Sequence, residues 1–112
     1  MRRGPPAEPS LYAFCFTETS ATDEPSFAIA GSGEAPEGRG NYRDHIVRLG
    51  DLSPGAMVEK AQFVLGEMER RMGCLGFRWQ DTSAVQVYCV HDIHPFMESE
   101  IIARGAAQHG VI

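Results

Sequence analysis

"SPGAMVEKAQFVLGEMERRMGCLG" occupies residues 53–76 and carries the strongest structural signal in the chain. Ser53 can cap a helix, and Pro54 suits the first helical position. Gly73 and Gly76 are expected to end the helix in left-handed conformations. Apolar residues recur at helical spacing, at Met57, Ala61, Val64, Leu65, Met68 and Met72, while Glu59, Lys60, Glu67, Glu69, Arg70 and Arg71 fall mostly on the other face. We therefore predict an amphipathic helix of about five turns that packs on one face of a sheet.

The segments around this helix predict the sheet. Apolar runs rich in aromatic or β-branched residues stand at 11–17, 27–31, 45–50 and 82–90. In the last run, alternation places Val85, Val87 and Cys89 on one face, which favours burial of all three. The terminal "GVI" resembles the first residues of one more strand.

A second helix is predicted from Pro95, with Asp92 or His94 as its cap. The predicted order is β-β-β-α-β-α, with no internal repeat. It forms a single α+β domain over residues 11–112, after a flexible lead rich in Pro and Gly over residues 1–10.

Composition narrows the class of protein. The net charge is −5, whereas nucleic-acid and membrane-surface binders need a basic footprint, so neither partner is expected. No apolar run approaches the roughly 20 residues of a membrane span. The three cysteines are widely spaced and form no metal-ligand pair. We expect reduced, mostly buried thiols in a cytoplasmic protein.

Two stretches carry the candidate chemistry. "GSGEAPEGRGN" (31–41) is dense in glycine, which predicts a ligand site lined by backbone. In this loop Glu34 and Glu37 are candidate acid/base groups, although solvated loop carboxylates are the commoner case. "HDIHPF" (91–96) supplies His91 as a candidate general base. The alternatives for this stretch are a metal site or a strand-to-helix junction, and Pro95 favours the junction.

The order of elements resembles the RidA (YjgF) family. The resemblance covers roughly residues 27–104 and rests on "FAIAGSGEAP", on the helix and on "TSAVQVYCVHDIHPF". The positions that match are Gly31 in the loop, Gln62, Val64, Leu65 and Gly76 in the helix, and Val85, Val87, Asp92 and Phe96 at the junction. "GEAPEG...NYRDHIVRLGD" and "HDIHPF" are most similar to the branch of 2-aminomuconate and 2-amino-5-chloromuconate deaminases.

This resemblance implies a fold and an activity. The fold would be a chorismate-mutase-like mixed sheet with two helices on one face, assembled as a homotrimer with clefts between subunits. The activity would be hydrolysis of an enamine or imine of a small carboxylate, such as 2-aminomuconate, with release of ammonia and without a metal or organic cofactor. Gly31, Ser32 and Gly33 would bind the substrate, and Glu34 and His91 are the candidate catalytic residues.

The chain also departs from the family pattern. Ala30 and Ser32 stand where the family has a loop serine and a glutamine. The family's carboxylate-binding arginine and a late glutamate lie on a last strand and the loop before it, beyond Ile112. The resemblance therefore assigns that arginine to no residue here, and Arg104 is not a substitute for it.

Two alternatives to the deaminase stay open at this point. One is a non-catalytic trimer of the same fold that binds small carboxylates or a partner. The other is a ribonuclease, which the acidic charge disfavours. The trimer itself is also expected from an apolar sheet face bearing Ala28, Ala30, Ala84, Gln86 and Tyr88, which would need to be covered.

Overall fold

The computed structural model describes residues 7–10 and 14–112. Its longest element, α1, spans Pro54–Cys74, and a shorter helix, α2, spans His94–Phe96 and continues into a π-helical segment at Met97–Ile102. Two single-turn 3₁₀ helices lie at Arg43–His45 and Trp79–Asp81. Within the described residues, no helix is both long enough and apolar enough to cross a membrane.

Helix α1 begins and ends as its capping residues dictate. The backbone N–H of Ala56 donates to the Ser53 side chain at 3.3 Å, and Pro54 occupies the first turn. At the other end, the N–H of Phe77 donates to the Met72 carbonyl at 2.9 Å, and Gly76 between them has φ +81°. That pairing is a Schellman motif, in which glycine reverses the chain at low cost. The predicted helix is confirmed, except that Gly73 lies inside its last turn.

The core lies between α1 and the C-terminal third of the chain. Its buried members are Met57, Ala61, Leu65, Met72, Trp79, Phe96, Ile101 and Ala106. The predicted apolar face of α1 is therefore the buried face, although Val64 and Met68 are only half-buried. Phe27 packs against this core and stacks on Phe77 with ring centroids 4.2 Å apart. Phe27 and Ile29 thus contact the core through their side chains.

The mixed sheet predicted from the four apolar runs is wrong. Within residues 7–10 and 14–112, β pairing is confined to one isolated parallel bridge between Val85 and Val111. A strand exists only where a neighbouring strand completes its hydrogen bonds, and alternation reports half-burial without naming a partner. In residues 82–90, the described β pairing is limited to two backbone hydrogen bonds with Ile112. The Ile112 N–H donates to the Val85 carbonyl at 3.0 Å, and the Val87 N–H donates to the Ile112 carbonyl at 2.8 Å.

Other predicted strands fail for local reasons. Residues 45–50 form turns, because Arg48 and Gly50 take φ of 49° and 76°, values incompatible with a strand. Residues 14–17 of the first predicted strand are exposed and irregular, while residues 11–13 lie outside the described part, as does most of the predicted lead at 1–6. The described residues form no sheet, so an apolar sheet face no longer gives a reason to expect a trimer.

The cysteines differ from expectation as well. Cys15, Cys74 and Cys89 are all free, as predicted, but all three are exposed. Cys89 follows Val85 and Val87 in the alternation, yet those two valines pack on the core while Cys89 lies beyond its edge. The alternation of apolar residues correctly predicted that Val85 and Val87 face the core. It did not predict that the core ends before Cys89.

Candidate functional site

The glycine-rich loop is fixed at two points against α1 and the following turn. Arg71, in the last turn of α1, donates through Nη1 to the carbonyl oxygens of Ala30 at 2.6 Å and Gly31 at 3.2 Å. The Glu34 carbonyl accepts the N–H of Val47 at 2.8 Å. Residues 31–34 are therefore held at both ends.

This arrangement lines an open cavity of about 370 Å³. Its walls are Gly31, Ser32, Gly33, Glu34, Ala35, Glu37, Tyr42, Ile46 and Arg71. The three predicted substrate-binding residues and Glu34 thus lie together, as the glycine density indicated. Among the described hydrogen bonds, the backbone N–H groups of Ser32 and Gly33 donate to no protein acceptor, so both can serve a ligand.

Glu34 is positioned by a buried cation. Lys60 is only 8 % exposed, and its ammonium lies 3.8 Å from the Glu34 carboxylate. The same ammonium donates to the Val47 carbonyl at 2.7 Å, so it holds together the loop, the turn and α1. The sequence analysis placed Lys60 with the solvent-facing charges, which is wrong. Its position three residues after Met57 and one before Ala61 was the available signal.

His91 and Glu34 line a second, larger cavity of about 590 Å³. Its other walls are Val87, Tyr88, Cys89 and Val90. Glu34 lines both cavities, so the glycine-rich loop contributes to the cavity that contains His91 as well. Glu34 and His91, the two candidate catalytic residues, therefore line one cavity. They are 57 positions apart in the sequence.

The rest of "HDIHPF" is structural. The Asp92 carboxylate accepts the His94 N–H at 3.0 Å and lies 2.5 Å from His94 Nδ1. Two hydrogen bonds hold the pKa of Asp92 below its ordinary value of 3.8. The larger effect comes from the backbone N–H of His94 and the smaller from the His94 side chain. Phe96 is buried in the core, while Ile93 takes the cap position itself. Asp92 therefore supports the first residue of α2, but neither Asp92 nor His94 takes the cap position, and no strand precedes α2 in the described residues, so the predicted cap and strand-to-helix junction are wrong.

Arg71 is the residue of this site that the sequence analysis missed. Its Nη2 forms an ion pair with the Glu37 carboxylate, while the neighbouring Arg70 contacts the same carboxylate at 3.2 Å and Glu67 at 2.9 Å. The guanidinium side chain of Arg71 is 18 % exposed. The site thus combines an arginine, a carboxylate held by a lysine, and free backbone donors, a set suited to a small anionic substrate.

Comparison with known proteins gives one family. The family model described as 2-aminomuconate deaminase CnbZ matches residues 2–112. A 2-amino-5-chloromuconate deaminase of Comamonas testosteroni is 41% identical over 109 residues, which is 96% of this chain and 43% of that relative. The chain therefore spans less than half the length of this curated relative. No solved structure matches the chain.

Proposed function

The chain belongs to the 2-aminomuconate deaminase CnbZ family, and from this premise we propose that it hydrolyses the enamine or imine of a small 2-amino unsaturated dicarboxylate, such as 2-aminomuconate. The products are ammonia and the 2-oxo or 2-hydroxy acid. The branch predicted from the sequence is confirmed by the family match. The same match disfavours the non-catalytic alternative.

One observation carries the proposal: Glu34 lines the cavity of the glycine-rich loop together with Arg71, and it also lines the cavity of His91. Arginine and backbone N–H groups favour a carboxylate ligand. A carboxylate and an imidazole that line one cavity can serve as proton donor and acceptor. The groups suited to carboxylate binding and those suited to proton transfer thus line two cavities that share Glu34.

The chemistry assigns a role to each group. His91 protonates the enamine carbon to give the iminium, and water then adds to the C=N carbon while Glu34 takes one water proton. Transfer of that proton to nitrogen makes ammonia a leaving group. As the C–N bond breaks, the hydroxyl oxygen forms the C=O bond and its proton returns to His91. The sum is one water consumed and one ammonia released.

The test is ammonia release from freshly generated 2-aminomuconate, with 2-amino-5-chloromuconate as a second substrate and the spontaneous rate as the blank. Glu34→Gln keeps the size of the side chain and removes its basicity. We expect it to lower kcat by about 10²–10⁴-fold, the usual contribution of a positioned base.

Glu59→Gln is the matched control, because Glu59 is an exposed glutamate of α1 that pairs with Arg48. It should leave kcat unchanged. Wild-type protein that releases ammonia no faster than the blank from either substrate would refute the proposed reaction. A Glu34→Gln variant with wild-type kcat would refute the role of Glu34 alone.

We also propose that the chain associates with copies of itself, as a homotrimer. Large apolar side chains are exposed outside the core, including Phe14, Phe16, Tyr88, Val90 and Ile112. Such surface favours association. A cytoplasmic location stays a prediction from the free cysteines.

A further inference from the structure

We propose that Arg71 binds a carboxylate group of the substrate and that Glu37 occupies Arg71 in the unliganded protein as an internal competitor. This inference rests on the proposed function and adds to it the residue that recognises the substrate's charge. It also assigns a regulatory role to a loop carboxylate.

The two terminal nitrogens of Arg71 have different partners. Nη1 donates to the carbonyls of Ala30 and Gly31, which belong to the loop backbone. Nη2 pairs with the Glu37 carboxylate. Release of Glu37 would leave the loop contacts in place and free one edge of the guanidinium. That edge matches a carboxylate, the partner for which the planar fork of arginine is suited.

The position of Arg71 makes it specific. Its side chain is only 18 % exposed and lines the cavity that Gly31, Ser32 and Gly33 also line. The adjacent Arg70 is 53 % exposed and does not line that cavity. A carboxylate that enters this cavity therefore meets Arg71, and Glu34 is among the other residues that line it.

Glu37 is held loosely enough to be displaced. Its side chain is 57 % exposed, and the next residue, Gly38, has φ +74°, a conformation that allows the loop to turn. Exposed ion pairs are individually weak and are screened by salt. Exchange of the Glu37 carboxylate for a substrate carboxylate keeps the guanidinium paired, so no buried charge is left alone.

The probe is cis,cis-muconate, an unreactive dicarboxylate without the amino group, and the measurement is its Kd by calorimetry at low ionic strength. Glu37→Gln should bind it about two- to fivefold more tightly, because the ion pair that competes for Arg71 is removed. Glu67→Gln is the matched control, since Glu67 pairs with Arg70 and does not line the cavity. It should leave Kd unchanged.

Arg71→Gln should weaken muconate binding by about ten- to a hundredfold, the expected loss of a charge-assisted hydrogen bond. Arg39→Gln removes one positive charge from the same loop, outside the cavity lining, and should change Kd little. Arg71→Lys keeps the charge and covers the case in which Arg71→Gln loosens the loop, and it should show an intermediate loss. Circular dichroism confirms that each variant retains α1.

The decisive measurement is the double variant Glu37→Gln with Arg71→Gln. If Glu37 acts by competing for Arg71, its removal gains nothing once Arg71 is absent. If the effects of Glu37→Gln and Arg71→Gln on the muconate Kd are additive, Glu37 does not compete for Arg71. If Arg71→Gln and Arg71→Lys both keep the wild-type Kd, Arg71 does not bind the carboxylate. Muconate binding is measured without turnover. If the Kd values follow the predicted pattern but the protein releases no ammonia from 2-aminomuconate, the proposed reaction is rejected and the carboxylate site at Arg71 is retained.

Discussion

Lys60 is a cation on the apolar face of α1, and three parts of the site meet at its ammonium. The carbon stem lies among the core residues beside Met57 and Ala61, while Nζ contacts the Val47 carbonyl and the Glu34 carboxylate. Long cationic side chains can bury their stems and keep the charged end paired. Lys60 is therefore a positioning residue for Glu34.

Lys60→Met keeps the length of the side chain and removes the charge. We expect kcat to fall about fivefold with KM nearly unchanged, because the loss of one hydrogen bond and ion pair costs about 1 kcal/mol and acts on the orientation of Glu34. Steady-state ammonia release measures both parameters. Lys60→Arg should restore part of kcat, and wild-type kcat in Lys60→Met would contradict the positioning role.

The residues of the site were predictable to different degrees. Gly31, Ser32, Gly33 and Glu34 belong to one short segment, and glycine density is a local property that the sequence displays. Arg71 contacts that segment although it lies 40 positions after Gly31 in the sequence. Only the packing of α1 against the loop brings the two together. Its charge alone placed it with the solvated face.

At the scale of elements, the start of α1 depends on one side chain. Ser53→Ala removes the acceptor for the Ala56 N–H. We expect the free energy of unfolding, from urea titration, to fall by about 1 kcal/mol. Ser83→Ala, at an exposed position outside α1, is the control and should have no measurable effect. An equal loss in both variants would show that capping is not the cause.

Helix α1 is joined to the C-terminal segment by a polar network. The indole N–H of Trp79 and Nη1 of Arg104 both donate to the Glu69 carboxylate at 2.8 Å. Arg104 also donates to Glu100, which is 7 % exposed and accepts from Gln62 at 2.8 Å. These bonds bridge residues of α1 and of the π-helical segment, so they fix how the two elements dock.

This network predicts an acid sensitivity. Burial raises the pKa of Glu69, but the hydrogen bonds from Trp79 and Arg104, together with the charge of Arg104, outweigh it and hold the pKa below 4.5. A folded-state pKa below the unfolded value means that the stabilisation is complete above about pH 4.5 and is lost as the pH falls through the lower folded-state value.

Glu69→Gln should therefore be less stable than wild type at neutral pH, with a difference that narrows below about pH 4.5. Urea titrations over a series of pH values give both curves. Glu98→Gln, at an exposed position in the π-helical segment, should follow the wild-type curve. A constant difference between Glu69→Gln and wild type at every pH would show that the charge of Glu69 plays no part.

The helices were predictable from the sequence and the strands were not. A helix satisfies its hydrogen bonds within its own segment, so Ser53, Pro54 and Gly76 mark its ends locally. A strand needs a partner from elsewhere in the chain. Val85 and Val87 show the half-burial that the alternation predicted, but their only described backbone partners are residues 111–112.

At the scale of the whole molecule, the chain exposes more surface than its mass requires. Its accessible surface is 9068 Å², whereas a compact monomer of 12.3 kDa would expose about 6,100 Å². The radius of gyration is 16.3 Å, against about 13 Å for a compact chain of this length. Part of this excess surface is apolar, which supports association between copies.

Sedimentation equilibrium tests the trimer. We expect a species of roughly 37 kDa, three times the 12.3 kDa chain, at micromolar concentration, because closed symmetric assemblies cover such surface. Measurements at several loading concentrations separate a stable assembly from a weak one. A single 12.3 kDa species throughout would contradict the trimer and leave the site on one chain intact.

The two fixed points of the glycine-rich loop also divide it into a part that can change and a part that cannot. Residues 30–34 are tied to Arg71 and Val47, and Glu37 to Arg71, and Gly38 needs its positive φ of 74°. Arg39 and Gly40 are exposed, and a Cβ added to Gly40 would meet nothing within 4 Å. For protein engineering, this dipeptide is the place to graft an affinity peptide or a fluorophore. A graft there would report on loop movement without touching the cavity wall.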